Sequence, residues 1–178
     1  MTQSNEPSSS RRPCCPLCEE SFGDLQFRFL YERPVCVPCL NAFARRRIRA
    51  FVVDCLLLAG LALIGVLIGL LVDHPTLWRL LGLGAIPLLA MFLIKDGFDG
   101  QSPGKRLFDL QTIHAQTGAP VRFRHSVTRN QPFLVPPLIL WMFAQLKSGP
   151  RMGDNIAGVK VIWKSHRDKP PFLPNTAR

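Results

Sequence analysis

The chain has 178 residues, is 47% hydrophobic and carries a formal charge of +10. That charge invites a nucleic-acid partner, but no basic-aromatic recognition pattern accompanies it, and its distribution serves a different purpose. The four histidines, His74, His114, His125 and His166, are scattered without a nucleophile or metal-ligand neighbour, so no catalytic constellation supports an enzyme.

Residues 1–13, rich in Ser, Pro, Asn and Arg, read as a disordered tail. Residues 14–44 hold two CxxC knuckles, Cys15-Pro-Leu-Cys18 and Cys36-Val-Pro-Cys39, separated by 17 residues. This spacing matches a structural four-thiolate zinc site, with no open coordination position for catalysis. Cys14 adjoins the first knuckle and can substitute for Cys15. Between the knuckles, "LQFRFLYERPV" alternates apolar and polar residues around Glu32-Arg33-Pro34 and predicts a β-hairpin. The second knuckle then opens a helix, an arrangement similar to a zinc ribbon or treble clef. So small a segment cannot bury an adequate core, and metal binding would supply the missing folding free energy.

Phe51–Val72 is a run of 22 residues whose only charge is Asp54, long enough to cross a bilayer core of ~30 Å. A second block, Leu77–Ile94, has the single charge Arg79, so the two predict a transmembrane helical hairpin. Asp73, His74, Pro75 and Thr76 would form its turn, with Trp78 as an interfacial anchor and Pro87 as a kink. Gly65 and Gly69 form a GxxxG pair after Ala62, a close-approach face open to packing within the hairpin or to dimerisation.

Eight Lys or Arg precede the first span, six fall in residues 95–131 and seven lie from Lys147 onward, while only Arg79 is near the turn. The positive-inside rule puts the N-terminus and the segment after the second span in the cytoplasm. A third hydrophobic block, 132–146, has 15 residues and includes Pro132, Pro136 and Pro137, which suits a re-entrant element better than a third crossing. The expected class is therefore an α-helical integral membrane protein: a transmembrane hairpin, a re-entrant or third helical element, a zinc module, and a cytoplasmic β-pairing between "LFDLQTIHA" and "AGVKVIWK". Residues 164–178 read as a basic tail. Gly100-Gln-Ser-Pro-Gly104-Lys105-Arg106 is no Walker loop: three residues separate its glycines, and Arg follows Lys.

Four segments, "RIRAFVVD", "KDGFDGQSPGKRLFDLQTI", "SVTRN" and "RMGDNIAGVKVI", follow one another through residues 45–163. Together they resemble the RDD family of bacterial multi-pass membrane proteins. Arg47, Ala50 and Asp54 fall on the first motif, and Asp96 and Asp154 compete for the second signature aspartate. The resemblance implies a protein of the inner membrane that transports an unknown ligand, with cation/proton exchange as the specific activity proposed for some members. With two or three spans per chain, a conducting unit would need a homo-oligomer. The contrasting class is a membrane adaptor whose zinc module binds a cytoplasmic protein.

Arg47 and Asp54 are seven residues apart, so they share a helix face but do not touch. An unpaired carboxylate inside a span costs at least ~2.5 kcal/mol. Asp54 therefore needs a partner from elsewhere. Three readings follow: a structural pair with a basic group such as Arg106 or Arg129, a cation or proton site with Asp96, or snorkelling to the surface.

Overall fold

The computed structural model describes residues 14–21, 26–72, 86–135, 141, 144–145 and 149–173. The N-terminal tail, the turn at 73–76, Trp78, Arg79, Pro136, Pro137 and residues 174–178 lie outside these, as do the first half of the second apolar block and much of the third.

β1 (Phe27–Leu30) and β2 (Arg33–Cys36) pair antiparallel with Leu30 opposite Arg33. Tyr31 and Glu32 turn the chain with φ of 48° and 66°, the left-handed pair that a tight two-residue hairpin needs. α1 (Val37–Val72) follows directly, so the second knuckle is already helical at Cys39. Its 36 residues reach about 54 Å, a charged first half and an apolar second half, long enough to cross a bilayer core, in one rod.

The two halves of α1 are buried differently. Leu40, Phe43, Ala44, Arg47 and Ala50 are buried, whereas Leu56, Leu63, Ile64, Leu70 and Leu71 are exposed. Over the apolar half Asp54, Cys55, Leu58, Ala62, Gly65 and Gly69 recur at helical spacing as a buried or half-buried stripe, with Val53 and Gly60 half-buried outside it. An apolar helix left open on its other sides is what a lipid environment requires. The GxxxG pair lies on the covered stripe, Gly65 half-buried and Gly69 buried.

Residues 86–94 are helical (α2). α3 (Pro103–Leu107) is a single turn capped by Ser102, whose hydroxyl accepts the Lys105 N–H, with Pro103 at the first helical position. β3 (Leu110–His114) pairs antiparallel with β4 (Val159–Trp163), Thr112 opposite Val161. The pairing expected from the two apolar segments is present. Between the strands lie α4 (Phe123–Asn130), a 3-10 turn at Gln131–Leu134 and α5 (Met152–Ile156).

One hydrophobic core joins what the sequence divides. Cys15, Leu17, Leu30, Val35, Cys36 and Phe43 pack with Leu110, Ile113, Val161, Ile162 and Phe172 in a single cluster. Tyr31 pins the join: its hydroxyl donates to the Val161 carbonyl at 2.8 Å and accepts the Val161 N–H at 3.2 Å. The segment read as a basic tail is folded through residue 173. Phe172 is fully buried between Phe43 and Tyr31, ring centroids 5.4 and 6.4 Å away, and Lys169 pairs with Glu19 at 2.6 Å. The reason is physical: the hairpin has two four-residue strands and cannot cover its own apolar face, so it borrows the β3–β4 face and Phe172.

Candidate functional site

Two constellations of side chains stand out. In the first, the Sγ atoms of Cys15, Cys18, Cys36 and Cys39 all lie within 4.8 Å of one another. Cys18 and Cys36 sulfurs are 3.7 Å apart, close to the ~3.8 Å edge of a tetrahedron with 2.3 Å metal–sulfur bonds. The Cys36 N–H points at the Cys15 sulfur from 3.4 Å. Burial alone would raise the Cys15 thiol; the backbone N–H groups of Cys36, Cys18 and Leu17 outweigh it and bring the group down to about 7. Burial pushes the Cys36 and Cys39 thiols up, so the fit to a metal ion rests on the geometry, four converging sulfur donors at tetrahedral spacing. Cys14 is exposed and bridges to Ser21 as backbone, outside the cluster, so it does not replace Cys15.

The second constellation is a buried ion cluster against the middle of α1, around Arg47 and Asp54. Asp54, 5% exposed, accepts from the Ser102 hydroxyl at 2.6 Å and the Gly104 N–H at 2.8 Å, and pairs with Lys95 at 3.4 Å. Its partners are thus the end of the second apolar block and the capped turn α3. Neither of the expected arginines reaches it: Arg106 is exposed, and Arg129 is committed to other carboxylates. The approach of α3 to α1 depends on glycine. A Cβ at Gly104 would fall on the Ala50 carbonyl oxygen and 2.8 Å from Asp54 Oδ1.

Gly104→Ala is therefore expected to cost about 1–3 kcal/mol, because backbone cannot yield as a side chain can. Gly60→Ala, where an added Cβ would meet no atom of another element within 4 Å among the described residues, is the control. Thermal unfolding in detergent should show a lowered midpoint for the first substitution and none for the second.

Arg129 is 1% exposed and forms the centre of the cluster. Its Nε donates to Asp154 at 2.5 Å, and its Nη1 donates to Asp96 at 2.7 Å and to the Thr112 hydroxyl at 2.8 Å. Lys105 meets Asp96 at 2.5 Å and the same hydroxyl at 2.9 Å. Arg47 and Arg151 each lie 3.6 Å from Asp154, and Arg47 also donates to the Gly149 carbonyl at 2.5 Å. The Asp154 carboxylate accepts the Arg151 N–H at 3.0 Å, closing the first turn of α5 from within.

Asp96 and Asp154 are both held well below the usual carboxylate range. Burial alone would raise each; Lys105, Arg129 and Lys95 outweigh it at Asp96, and Arg129, Arg151 and Arg47 outweigh it at Asp154. Burial, aided by Arg129, pushes Lys105 well down against the pull of Asp96. Burial and Arg129 together lower Arg151 to about 10.

The "SVTRN" segment fixes the cluster to α2. The Ser126 hydroxyl donates to the Leu93 carbonyl at 2.7 Å and accepts the Asp96 N–H at 3.1 Å, while Asn130 donates to Leu93 at 3.1 Å. These side chains satisfy carbonyls that the end of a helix leaves unpaired. Arg47, Asp54, Asp96 and Asp154 are thus brought into one cluster. Lys95, Lys105, Arg151 and Thr112 belong to it and were not singled out by sequence; the Ser102-Pro103 cap signal was the available pointer to α3. Of the four arginines at positions 45–49, just before the first span, Arg45 and Arg49 are exposed. Arg47 is buried, and Arg46 lies over the Trp163 ring at 4.3 Å.

A long apolar helix largely exposed among the described residues, with a charged cluster at its base and four converging thiols that could hold a metal ion, fits a membrane protein. The chain belongs to the RDD family, whose model matches residues 41–166. No curated protein and no solved structure matches it.

Proposed function

We propose that the chain is a multi-pass protein of the bacterial inner membrane that acts as a non-catalytic adaptor, holding a zinc module at the cytoplasmic surface for a cytoplasmic protein partner. The observation that carries this reading is the continuity of α1 from Cys39 to Val72, reinforced by the shared core of hairpin and β3–β4 pair. A partner bound to the module would act on the membrane helix without an intervening flexible linker. Beside the module, Phe29 is 63% exposed and lines a groove of ≈ 340 Å³ with Tyr31, Pro150, Asn155 and Val159. An exposed aromatic beside a concavity of that size is a feature of protein interfaces.

Zinc is the metal best suited to four cysteine thiolates in a closed tetrahedron, and it would supply folding free energy there, not reactivity. Both termini are assigned to the cytoplasm by the charge distribution.

The transport reading is weaker. Five basic groups, Arg47, Lys95, Lys105, Arg129 and Arg151, surround the carboxylates of Asp54, Asp96 and Asp154. A cation would have to displace several of these ammonium and guanidinium groups to reach a carboxylate oxygen. Reconstituted in proteoliposomes, the protein is expected to give cation-driven proton flux no greater than empty liposomes. In cells, crosslinking should recover a cytoplasmic protein with wild type but not with Phe29→Ser. Flux that Asp54→Asn abolishes, together with identical crosslinked species from both chains, would overturn the adaptor reading.

A further inference from the structure

The ion cluster carries more positive charge than its carboxylates neutralise. Five basic side chains face three acids, with Arg47, Asp54, Asp96, Lys105, Arg129 and Arg151 all buried and Lys95 only 10% exposed in its side chain. Buried charge of one sign in excess is expensive, since each uncompensated ion forfeits its hydration.

The donors point to the same deficit. Arg129 Nη2, Arg47 Nη2 and Arg151 Nε are buried without a hydrogen-bond acceptor among the described residues. The latter two approach Asp154 only at 3.6 Å, beyond hydrogen-bond length. All three arginines, with Lys95 and Lys105, line one cavity, as do the carboxylates of Asp54 and Asp96, already paired with Lys95, Lys105 and Arg129, and its volume is ≈ 20 Å³. That is room for about one atom of water size.

We propose that this cavity binds one small anion, a halide or a single anionic oxygen of a phosphate group, among the side chains of Arg47, Lys105, Arg129 and Arg151. One negative charge there supplies the missing acceptor and halves the excess. Water satisfies donors but leaves the charge. Two sources share this chemistry. A free anion can enter from the cytoplasm, or a lipid phosphate can reach in from the membrane side, where Lys95 also lines an apolar groove of ≈ 480 Å³ with Met91, Ile94, Phe98 and Arg106.

The test uses the full chain in dodecyl maltoside micelles, which carry no phosphate, dialysed into a zwitterionic buffer free of halide, phosphate and carboxylate. Sodium bromide is expected to raise the unfolding midpoint saturably, by about 5 °C at saturation. Arg151→Gln, which leaves Asp154 paired to Arg129, should abolish that rise. If the occupant is a lipid phosphate, added phosphatidylglycerol produces the Arg151-dependent rise and bromide does not. Line broadening of the chloride-35 resonance by wild-type protein, reversed by excess bromide, reports halide occupancy should the variant not fold. No rise with either addition, or equal rises in wild type and Arg151→Gln, together with unbroadened chloride, would overturn the proposal.

Discussion

Asp154→Asn is expected to destabilise the protein by about 3–5 kcal/mol, a large part of the stability of an ordinary domain. The carboxylate is fully buried and faces Arg129 at 2.5 Å and Arg47 and Arg151 at 3.6 Å, so its loss leaves three guanidinium groups turned toward a neutral amide. The same carboxylate closes α5 through the Arg151 N–H, and α5 in turn rests on α4, where a Cβ at Gly153 would strike the Arg129 carbonyl. Thermal unfolding in detergent should show a midpoint lowered by roughly ten degrees. Glu19→Ala, which removes an ion pair whose acid is 73% exposed, should leave it unchanged.

The pH dependence follows from the sign of the shift. A carboxylate held below its unfolded value contributes stability that is complete above that value, near 3.9, and is lost as pH falls through the folded one. The difference between wild type and Asp154→Asn is therefore expected to stay constant between about pH 5 and pH 7 and to shrink in stronger acid, as the native carboxylate takes up its proton. A difference that shrinks as pH rises from 5 to 7 would contradict the assignment.

Removing the metal is expected to have the larger effect. Structural zinc in a four-thiolate site contributes on the order of 10 kcal/mol of folding free energy, and the hairpin it holds has only two four-residue strands. The loss should not stay local. Leu30, Val35 and Phe43 share one core with Leu110, Ile113, Val161 and Phe172, so melting the module uncovers the face on which β3 and β4 rest. Metal analysis should find about one equivalent of zinc in the wild-type protein and in Cys14→Ser, and less than half of that in Cys36→Ser. Chelation should then lower the unfolding midpoint of the whole chain.

How far these features can be read from the sequence depends on the distance over which each is encoded. The four thiols, the hairpin, the apolar half of α1 and the strands β3 and β4 follow from local spacing and composition, though the pairing of β3 with β4 is itself long-range. The partner of Asp54 does not, because Lys95, Ser102 and Gly104 lie 41 to 50 positions downstream and are assembled only when α3 docks on α1. Burial of Arg47 among residues that look like orienting charges is hidden for the same reason: Arg45 and Arg49 beside it are exposed, and composition does not distinguish them. The role of Arg129 depends on Asp96 and Asp154 converging from either side, and that of Phe172 on a C-terminal segment folding back onto Phe43 and Tyr31. The motif "SPGKR" illustrates both cases. Its spacing rules out a phosphate loop, and its Ser-Pro pair marks a helix start, yet only the packed structure gives that start a purpose, the capture of Asp54.

The four-thiol module and the family domain share α1 and one core, and are expected to fold as one unit. Amide hydrogen exchange of the full chain in micelles, with and without a zinc chelator, reads this coupling. Chelation is expected to speed exchange in the hairpin at 27–36 and also in β3 and β4, at Leu110–His114 and Val159–Trp163. Fast exchange confined to the hairpin, with both distant strands as protected as before, would contradict it.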